Sequence, residues 1–503
     1  MNTPARRGAC PALSAPMQTG DGLLARLNPV AGGFSPNALI GLCESAQHHG
    51  SGIVEVTARG SVQVRGLTER SAPLLAADVD ALGIAVRTGV PVETAPLAGL
   101  DPDEIADPRP LADAIRAALT EAGLAARLGP KVSVIVDGGG SIDLSGIIAD
   151  VRLAAVAQNG EALWHLAAGG DAATATPLGL LTESDACAAT LSILGQVAAL
   201  GREARARDLA DTRRINATAP LSGLPAISPT RGEKGSWPAS FAFETPKGGE
   251  AGHPSRLSPL VGEMAGRPER GSGGTHQEGK AVAVFPLGDG TFALGIALPF
   301  GSMPAKILIA LAQRAKDLGA AEIRPAPPRA LLFPGLAADA CRTLQKIAAG
   351  LGFVTHPADP RLSISACPGL PACASGRIAT RDIAADLAAS APDLLDGSFT
   401  LHVSGCAKGC AHPGAAALTL AGSDDGTVLV VNGTAGSPPA AIVPHDEARH
   451  GLRRIASLVR RTRRRQETAA ACLARLGAAE IATAFAQAAF AQAAFAQAAF
   501  AQE

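Results

Sequence analysis

A hairpin over residues 53–67, which read IVEVTARGSVQVRGL, sets the fold of the first part of the chain. Apolar and branched side chains at Ile53–Val56 and at Val62–Leu67 predict two short strands joined by a turn. A strand over Gly22–Leu27 and a helix over Pro36–His49 precede the hairpin. Residues 17–90, the first A unit, are therefore expected to form an α+β unit.

The second half of the chain repeats this order. Residues 281–355, the second A unit, predict a leading strand and then similar strands and helices, and both hairpins end on Gly-Leu (66–67 and 335–336). Each A unit resembles half of a ferredoxin-like fold. A block of short strands and an apolar helix follows each one: residues 91–205, the first B unit, and residues 356–462, the second B unit. The prediction is a duplicated A–B–A–B chain of half domains and α/β domains, with a ligand cleft where they meet.

Three segments fall outside the repeat. Residues 1–16 are read as an N-terminal arm. Residues 206–280 are rich in Gly, Pro, Ser, Arg and Glu, which predicts a disordered linker or insertion. Residues 463–503 end in phenylalanines five positions apart, a spacing that gathers them on no single face of a helix or strand. A helical, low-complexity tail is expected there, dispensable for activity beyond Arg475.

Composition narrows the function classes. The 503 residues carry a formal net charge of -1, without the positive surplus that sequence-independent nucleic-acid binding requires. No apolar stretch reaches the length of a membrane span, and the first residues lack a signal-peptide core, so a cytoplasmic location is expected. The nine cysteines are then better interpreted as thiols or metal ligands than as disulfides.

Four of these cysteines form two close pairs in the second B unit. The text runs Cys367-Pro-Gly-Leu-Pro-Ala-Cys373 and, about thirty residues later, Ser404-Gly-Cys406-Ala-Lys-Gly-Cys410. Nearby Gly and Pro let the backbone wrap closely around a cluster and point its amides at sulfur, so a [4Fe-4S] cluster is the leading interpretation. A structural zinc site is an alternative, although its pairs usually lie about two to four residues apart. Buried, unliganded cysteines are another.

This cysteine pattern resembles the cluster signature of the sulfite and nitrite reductases, and the likeness covers nearly all of residues 10–460. In that superfamily the cluster is coupled to sirohaem, with the last cysteine facing the tetrapyrrole. The resemblance implies that Cys367, Cys373, Cys406 and Cys410 are cluster ligands.

Basic side chains that bind an anionic tetrapyrrole are expected where the A and B units meet. Arg59, Gln63 and Arg65 occupy alternate positions and are expected on one face of a strand. They resemble the carboxylate-binding hairpin of the superfamily, although a solvated strand edge has the same pattern. Lys131 matches the first lysine of the reductases' anion cage, but Ser133 stands in place of the second. The incomplete cage disfavours reduction of sulfite or nitrite.

Other stretches resemble the precorrin-3B synthase family. They are Arg7–Pro11, Pro16–Arg26, Ala95–Gly99, Ala149–Leu153 and Ser404–Pro413. The resemblance implies an NADH-linked monooxygenase of aerobic cobalamin biosynthesis that hydroxylates precorrin-3A with O2 and forms a lactone. An electron-donating reductase would be a partner, because no nucleotide-binding glycine loop follows a strand.

The same resemblance supplies site residues. Arg26, Arg59, Gln63, Arg65, Lys131 and Arg152 are implied as substrate-binding residues. Lys131 and His412 are predicted to be catalytic, and a mononuclear non-haem iron is a possible second cofactor. His412 equally fits a residue that only hydrogen-bonds within its turn. Two rival functions stay open: a sirohaem-dependent sulfite or nitrite reductase, and a non-enzymatic iron–sulfur carrier of tetrapyrroles.

Overall fold

The computed structural model describes residues 11–30, 32–210 and 281–500. They form four sheets, one for each predicted unit. The predicted insertion spans residues 206–280. Of these, residues 211–280 lie outside the described residues. The first five residues of the insertion are helical, with Ala206 and Leu209 buried against the first B unit, so the ordered chain extends past the predicted boundary.

In the first A unit the helix begins and ends where the sequence predicts. Ser35 caps it by accepting a hydrogen bond from the Ala38 amide at 3.2 Å, and Pro36 occupies the first turn, where no amide is needed. The elements are β1 (Met17–Thr19), β2 (Gly22–Leu27), α1 (Pro36–His49), β3 (Ile53–Val56), β4 (Val62–Leu67) and α2 (Ala72–Ala81).

The first B unit holds a five-stranded mixed sheet. Its first three strands are parallel and the last two are antiparallel additions. The elements are β5 (Val92–Thr94), α3 (Arg109–Glu121), β6 (Val134–Asp137), β7 (Ala149–Gln158), β8 (Glu161–Gly170), β9 (Thr176–Leu181), α4 (Glu183–Leu200) and α5 (Ala206–Ala210).

The second A unit contributes to two sheets. Its elements are β10 (Val284–Pro286), β11 (Phe292–Ala297), β12 (Ser302–Pro304), α6 (Ala305–Asp317), β13 (Arg324–Ala326), β14 (Ala330–Leu336) and α7 (Ala338–Gly350). Strand β12 leaves its own unit and pairs antiparallel with β3, giving the order β1-β2-β4-β3-β12 in the first sheet. Both A units share one core, in which Leu42 and Ala46 of α1 lie with Leu308 and Ala312 of α6.

The second B unit repeats the first. Its sheet order β15-β16-β17-β18-β19 has the same pattern of parallel and antiparallel neighbours as β5 to β9, which confirms the predicted duplication. The elements are β15 (Ile364–Ala366), α8 (Thr380–Ser390), β16 (Leu401–Ser404), β17 (Ala416–Ser423), β18 (Gly426–Gly433), β19 (Ala441–Val443), α9 (Ala448–Thr462) and α10 (Ala469–Phe500).

Helix α10 corrects the prediction of a dispensable tail. Cys472, Ile481 and Phe485 are completely buried in the core of the second B unit, so the chain up to Gln487 belongs to that unit. This helix also contains the longest apolar segment of the described residues that meets the criteria for a membrane span, interrupted by Arg475 and Glu480. By length and composition alone Ala469–Gln487 is apolar enough to cross a membrane, with a third of it buried inside the protein. Its contacts are those of a core helix.

Candidate functional site

The two cysteine loops meet at one edge of the second B sheet. Cys367 follows β15 directly and Cys406 lies two residues past β16, and these neighbouring strands are parallel. Their carboxyl ends therefore lie side by side. The Gly405 amide donates a hydrogen bond to Cys367 Sγ at 3.1 Å, which is the kind of contact that stabilises thiolate sulfur in iron–sulfur sites.

Glycine allows the close approach of these loops. A Cβ atom at Gly405 would lie 3.1 and 3.2 Å from the Cα atoms of Gly369 and Gly376. Lys408 ties the loops further, because its Nζ donates to Ser375 Oγ at 2.8 Å. Gly405 and Lys408 thus hold the second cysteine pair against the first.

The four thiol groups do not converge on one point. Cys367 is buried, Cys373 and Cys406 are half-buried, and Cys410 is exposed. Within the ranges 11–30, 32–210 and 281–500, no three His, Cys, Asp or Glu side chains converge closely enough to hold a metal ion. The donor set of four thiols on two touching loops nevertheless has the chemistry of an iron–sulfur site. No disulfide competes for these thiols.

Two histidines lie beside the Cys406–Cys410 loop. His402, in β16, is completely buried and neither ring nitrogen has a hydrogen-bond partner. Burial, reinforced by the nearby His412 and Arg329, lowers the pKa of His402 to about 4, so the ring is neutral at physiological pH. The ring of His412 lies 5.7 Å from that of His402, and its Nε2 is 3.4 Å from the Ala415 carbonyl. The catalytic role of His412 stays a prediction.

Arg59 does not lie on the strand predicted for it. It lies in the turn between β3 and β4, because Gly60 takes a left-handed conformation (φ +77°) that ends the strand pairing. From the turn its guanidinium reaches the first B unit, where it donates to Ser133 Oγ at 3.4 Å and to the Ile148 carbonyl.

Arg65 is buried in an ion-pair network and faces the cysteine loop. Its guanidinium is within 2.8 Å of Asp21 and 3.5 Å of Glu55, and it donates to the Ala372 carbonyl, next to Cys373, at 2.7 Å. Although burial alone would raise the pKa of Asp21, its hydrogen bonds and the charge of Arg65 lower it. These contacts indicate that Arg65 supports the Cys373 loop, and its role in substrate binding stays a prediction.

Gln63 and Arg26 extend the same network. With its amide oxygen turned towards Arg26, Gln63 accepts from that guanidinium at 2.6 and 2.8 Å and donates to Glu55 at 3.2 Å. Glu55 also pairs with Arg381 of the second B unit. The network therefore joins the first A unit to the unit that carries the four cysteines.

We predict that Arg65→Met destabilises the protein by about 3–5 kcal/mol, because it leaves the buried carboxylate of Glu55 and the half-buried carboxylate of Asp21 without this partner. The Cys373 loop also loses its hydrogen bond to Arg65, so iron per chain should fall. Denaturant unfolding and iron analysis measure the two effects. Arg342→Met, which breaks an exposed pair with Asp339, is the control and should cost under about 1 kcal/mol. An Arg65→Met protein with normal stability and iron would contradict the supporting role.

Comparison with known proteins places the chain in a family. The model of the nitrite/sulfite reductase ferredoxin-like half domain matches residues 15–82. Precorrin-3B synthase from Sinorhizobium sp is 38% identical over 482 residues, which cover 96% of this chain and 95% of that protein. The chain belongs to the precorrin-3B synthase family.

More distant relatives agree with the fold. A ferredoxin–nitrite reductase from Synechococcus elongatus is 24% identical over 417 residues, covering 80% of this chain and 76% of that protein. The solved structure of the NirA protein of Mycobacterium tuberculosis matches with a TM-score of 0.62 and 18% identity, covering 91% and 84% of the two chains. This precorrin-3B synthase family member therefore has the duplicated fold of the sulfite and nitrite reductases.

The remaining predicted bases differ in their surroundings. Arg152 is buried and donates to the carbonyls of Leu144, Ser145 and Ile147, at 2.9, 3.3 and 2.5 Å. Burial lowers the pKa of Arg152. It thus supports the loop between β6 and β7. Lys131 is exposed in the turn before β6. Its predicted roles in binding and catalysis are untested.

Two further candidate site residues of this family member were not predicted from the sequence. Arg329 occupies the hairpin turn equivalent to that of Arg59, in a left-handed conformation (φ +63°), and donates to Ser365 Oγ at 2.9 Å and to the Ala411 carbonyl at 3.3 Å. The duplication could have revealed it. Glu104 has a buried Oε1 without a partner, and burial raises the pKa of Glu104 to about 7. Such a group can exchange a proton near neutral pH.

Proposed function

We propose that this chain is a precorrin-3B synthase that hydroxylates precorrin-3A with O2 and forms a lactone ahead of ring contraction in aerobic cobalamin biosynthesis. The observation that carries the proposal is the near-full-length similarity to a protein of that name. A partial match or a shared fold alone would leave the reaction open, because one fold hosts many activities.

The proposed cofactor is a [4Fe-4S] cluster held by Cys367, Cys373, Cys406 and Cys410. Contact between the two loops and the amide donated to Cys367 Sγ support this ligand set. When bound, the cluster would supply single electrons. A mononuclear non-haem iron is the second proposed cofactor, with His412 as its candidate ligand because an imidazole at the cysteine loop suits iron.

Substrate recognition is proposed to rest on charge. Precorrin-3A carries acetate and propionate arms, and the planar guanidinium of an arginine binds carboxylates in bidentate fashion. Arg59, which donates to Ser133 at the A–B junction, and the exposed Lys131, two residues before Ser133, are the proposed contacts for these arms. Arg26 and Gln63 orient the hairpin that carries Arg59, and Arg152 holds the loop whose Ile148 carbonyl Arg59 binds.

Proton transfer is proposed to involve Glu104, Lys131 and His412, and not His402. The neutral His402 cannot donate a proton as a cation at physiological pH, whereas Glu104, with a pKa of about 7, is present in both forms. Lys131 and His412 are the other proposed catalytic residues. Electrons are proposed to come from NADH through a separate reductase in the cytoplasm, an environment in keeping with eight described cysteines that form no disulfide.

The decisive experiment uses protein purified without oxygen and analysed for iron and sulfide. Precorrin-3A is then added with ¹⁸O2 and a reducing system, and the product is examined by mass spectrometry. We expect one labelled oxygen atom in the product. A haem absorption band together with sulfite or nitrite reduction would instead identify a sirohaem-dependent reductase. Tetrapyrrole binding without oxygen consumption would identify a carrier.

A further inference from the structure

A cavity of about 250 Å³ lies where the first A, first B and second A units meet. Its lining residues fall in 28–147 and 324–327, so the unit that carries the four cysteines contributes none of them. The cavity is therefore separate from the cysteine loops. Its volume is slightly below the roughly 300–1,000 Å³ of ordinary ligand pockets, which suits a small ligand or one arm of a larger one.

The walls of this cavity are strongly basic. Five arginines line it, against the carboxylates of Glu93 and Asp113; they are Arg59, Arg87, Arg109, Arg116 and Arg324. Both acids already pair with lining arginines, Glu93 with Arg87 at 2.9 Å and Asp113 with Arg116. Arg109 and Arg324 pair with carboxylates outside the lining, those of Asp107 and Glu322. The wall itself therefore carries five guanidinium groups against two carboxylates, in a partly enclosed space where charge interactions are stronger than in open water.

Two of these arginines have donors that the protein does not satisfy. The Nε groups of Arg116 and Arg324 are buried without a hydrogen-bond partner. Leaving a charged donor buried and unpaired is unfavourable, and native structures rarely do so without a reason. An anion in the cavity would give these guanidinium groups the acceptor that the protein lacks.

In the first B unit, this cavity occupies the position that the cysteine loops occupy in the second B unit. Its walls include Ala95, Pro96 and Ala98, which follow β5, and Leu144 and Ile147 between β6 and β7. In the second B unit the matching loops, after β15 and between β16 and β17, carry the four cysteines. The first B unit thus keeps the position for a ligand but lines it with arginine instead of thiol.

We propose that this cavity is a second binding site, for the carboxylate groups of an anionic ligand. Carboxylate is favoured because the guanidinium groups of Arg87 and Arg116 already donate to the carboxylate oxygens of Glu93 and Asp113. The source is either a free polycarboxylate or the arms of a second tetrapyrrole resting over the mouth. The site shares Arg59 with the proposed substrate contacts but does not depend on the cysteine chemistry.

Calorimetric titration of the full chain tests the site, with citrate and uroporphyrin as carboxylate probes and inorganic phosphate for comparison. We expect citrate to bind once per chain, and Arg87→Gln and Arg116→Gln each to weaken it by about tenfold, the loss of one charge-assisted contact. Arg127→Gln, at an exposed arginine of the same unit outside the cavity, should change nothing. Iron content should be equal in all variants.

Glu93→Gln keeps the test decisive if an arginine variant fails to fold. It removes a carboxylate that competes for Arg87, so citrate should bind more tightly. Competition between citrate and uroporphyrin would assign the site to tetrapyrrole arms, and citrate binding without competition would assign it to a free polycarboxylate. The proposal is overturned if neither probe binds, if phosphate binds in preference to citrate, or if the arginine and glutamate variants leave citrate affinity unchanged.

Discussion

Replacing Cys406 by serine is expected to yield protein with little bound iron or sulfide and turnover reduced by at least about 100-fold, more than is usual for losing a residue that merely supports a metal ligand. Cys406 lies in the loop that the Gly405 amide and Lys408 hold against the first cysteine pair. A serine hydroxyl keeps the size of the side chain but is a poor ligand for cluster iron. Iron and sulfide analysis and the oxygen-incorporation assay measure the effect.

The matched control is Cys187→Ser. Cys187 is half-buried in α4 of the first B unit, so the same change is made away from the cysteine loops. We expect it to keep its iron and activity. Full iron content in Cys406→Ser, or equal losses in both variants, would remove the basis for the proposed ligand set.

Replacing Phe485 by alanine is expected to lower the free energy of unfolding by about 3–5 kcal/mol, the usual cost of emptying a buried aromatic site. Phe485 is completely buried and its ring packs so closely on Gly451 that a Cβ atom there would lie 2.5 Å from it. Arg454 also binds the carbonyls of Ala484 and Phe485. Denaturant unfolding gives the change directly.

Leu200→Ala serves as the control for Phe485→Ala. Leu200 is 52% exposed at the end of α4, so its loss should change stability by less than about 0.5 kcal/mol. Deleting the chain after Arg475 removes Ile481 as well as Phe485, and we expect that truncation to unfold the second B unit. An active, stable truncated protein would mean that α10 is the dispensable tail after all.

Local sequence signals predicted most of the fold. Helix α1 has the expected bounds because Ser35, Pro36 and the terminal histidines act on neighbouring backbone groups. The duplicated sheets were visible because apolar periodicity repeats in the two halves. The burial of Phe485 had no such signal, because five-residue spacing identifies no face, and its burial depends on the space beside Gly451.

The candidate site was predicted less completely, since its contacts are long-range. The cysteine spacing was informative because four thiols on two short loops have few other uses. Arg65 instead meets the Ala372 carbonyl across 307 residues of sequence, and no local pattern distinguishes that contact from a role in substrate binding. The strand assignment of Arg59 failed because alternation was extended through Gly60, whose left-handed backbone turns the chain.

Strand β12 also governs the order in which the protein can mature. It completes the first sheet by pairing with β3 across roughly 250 residues, a separation that slows folding. At about 5–20 residues per second, a ribosome needs on the order of 10–50 s to make that intervening segment. Throughout this interval the nascent chain presents the open edge of β3, to which strands of neighbouring nascent chains can add. We therefore expect the yield of native protein in a cell to rise when chaperones shield that edge until translation reaches β12.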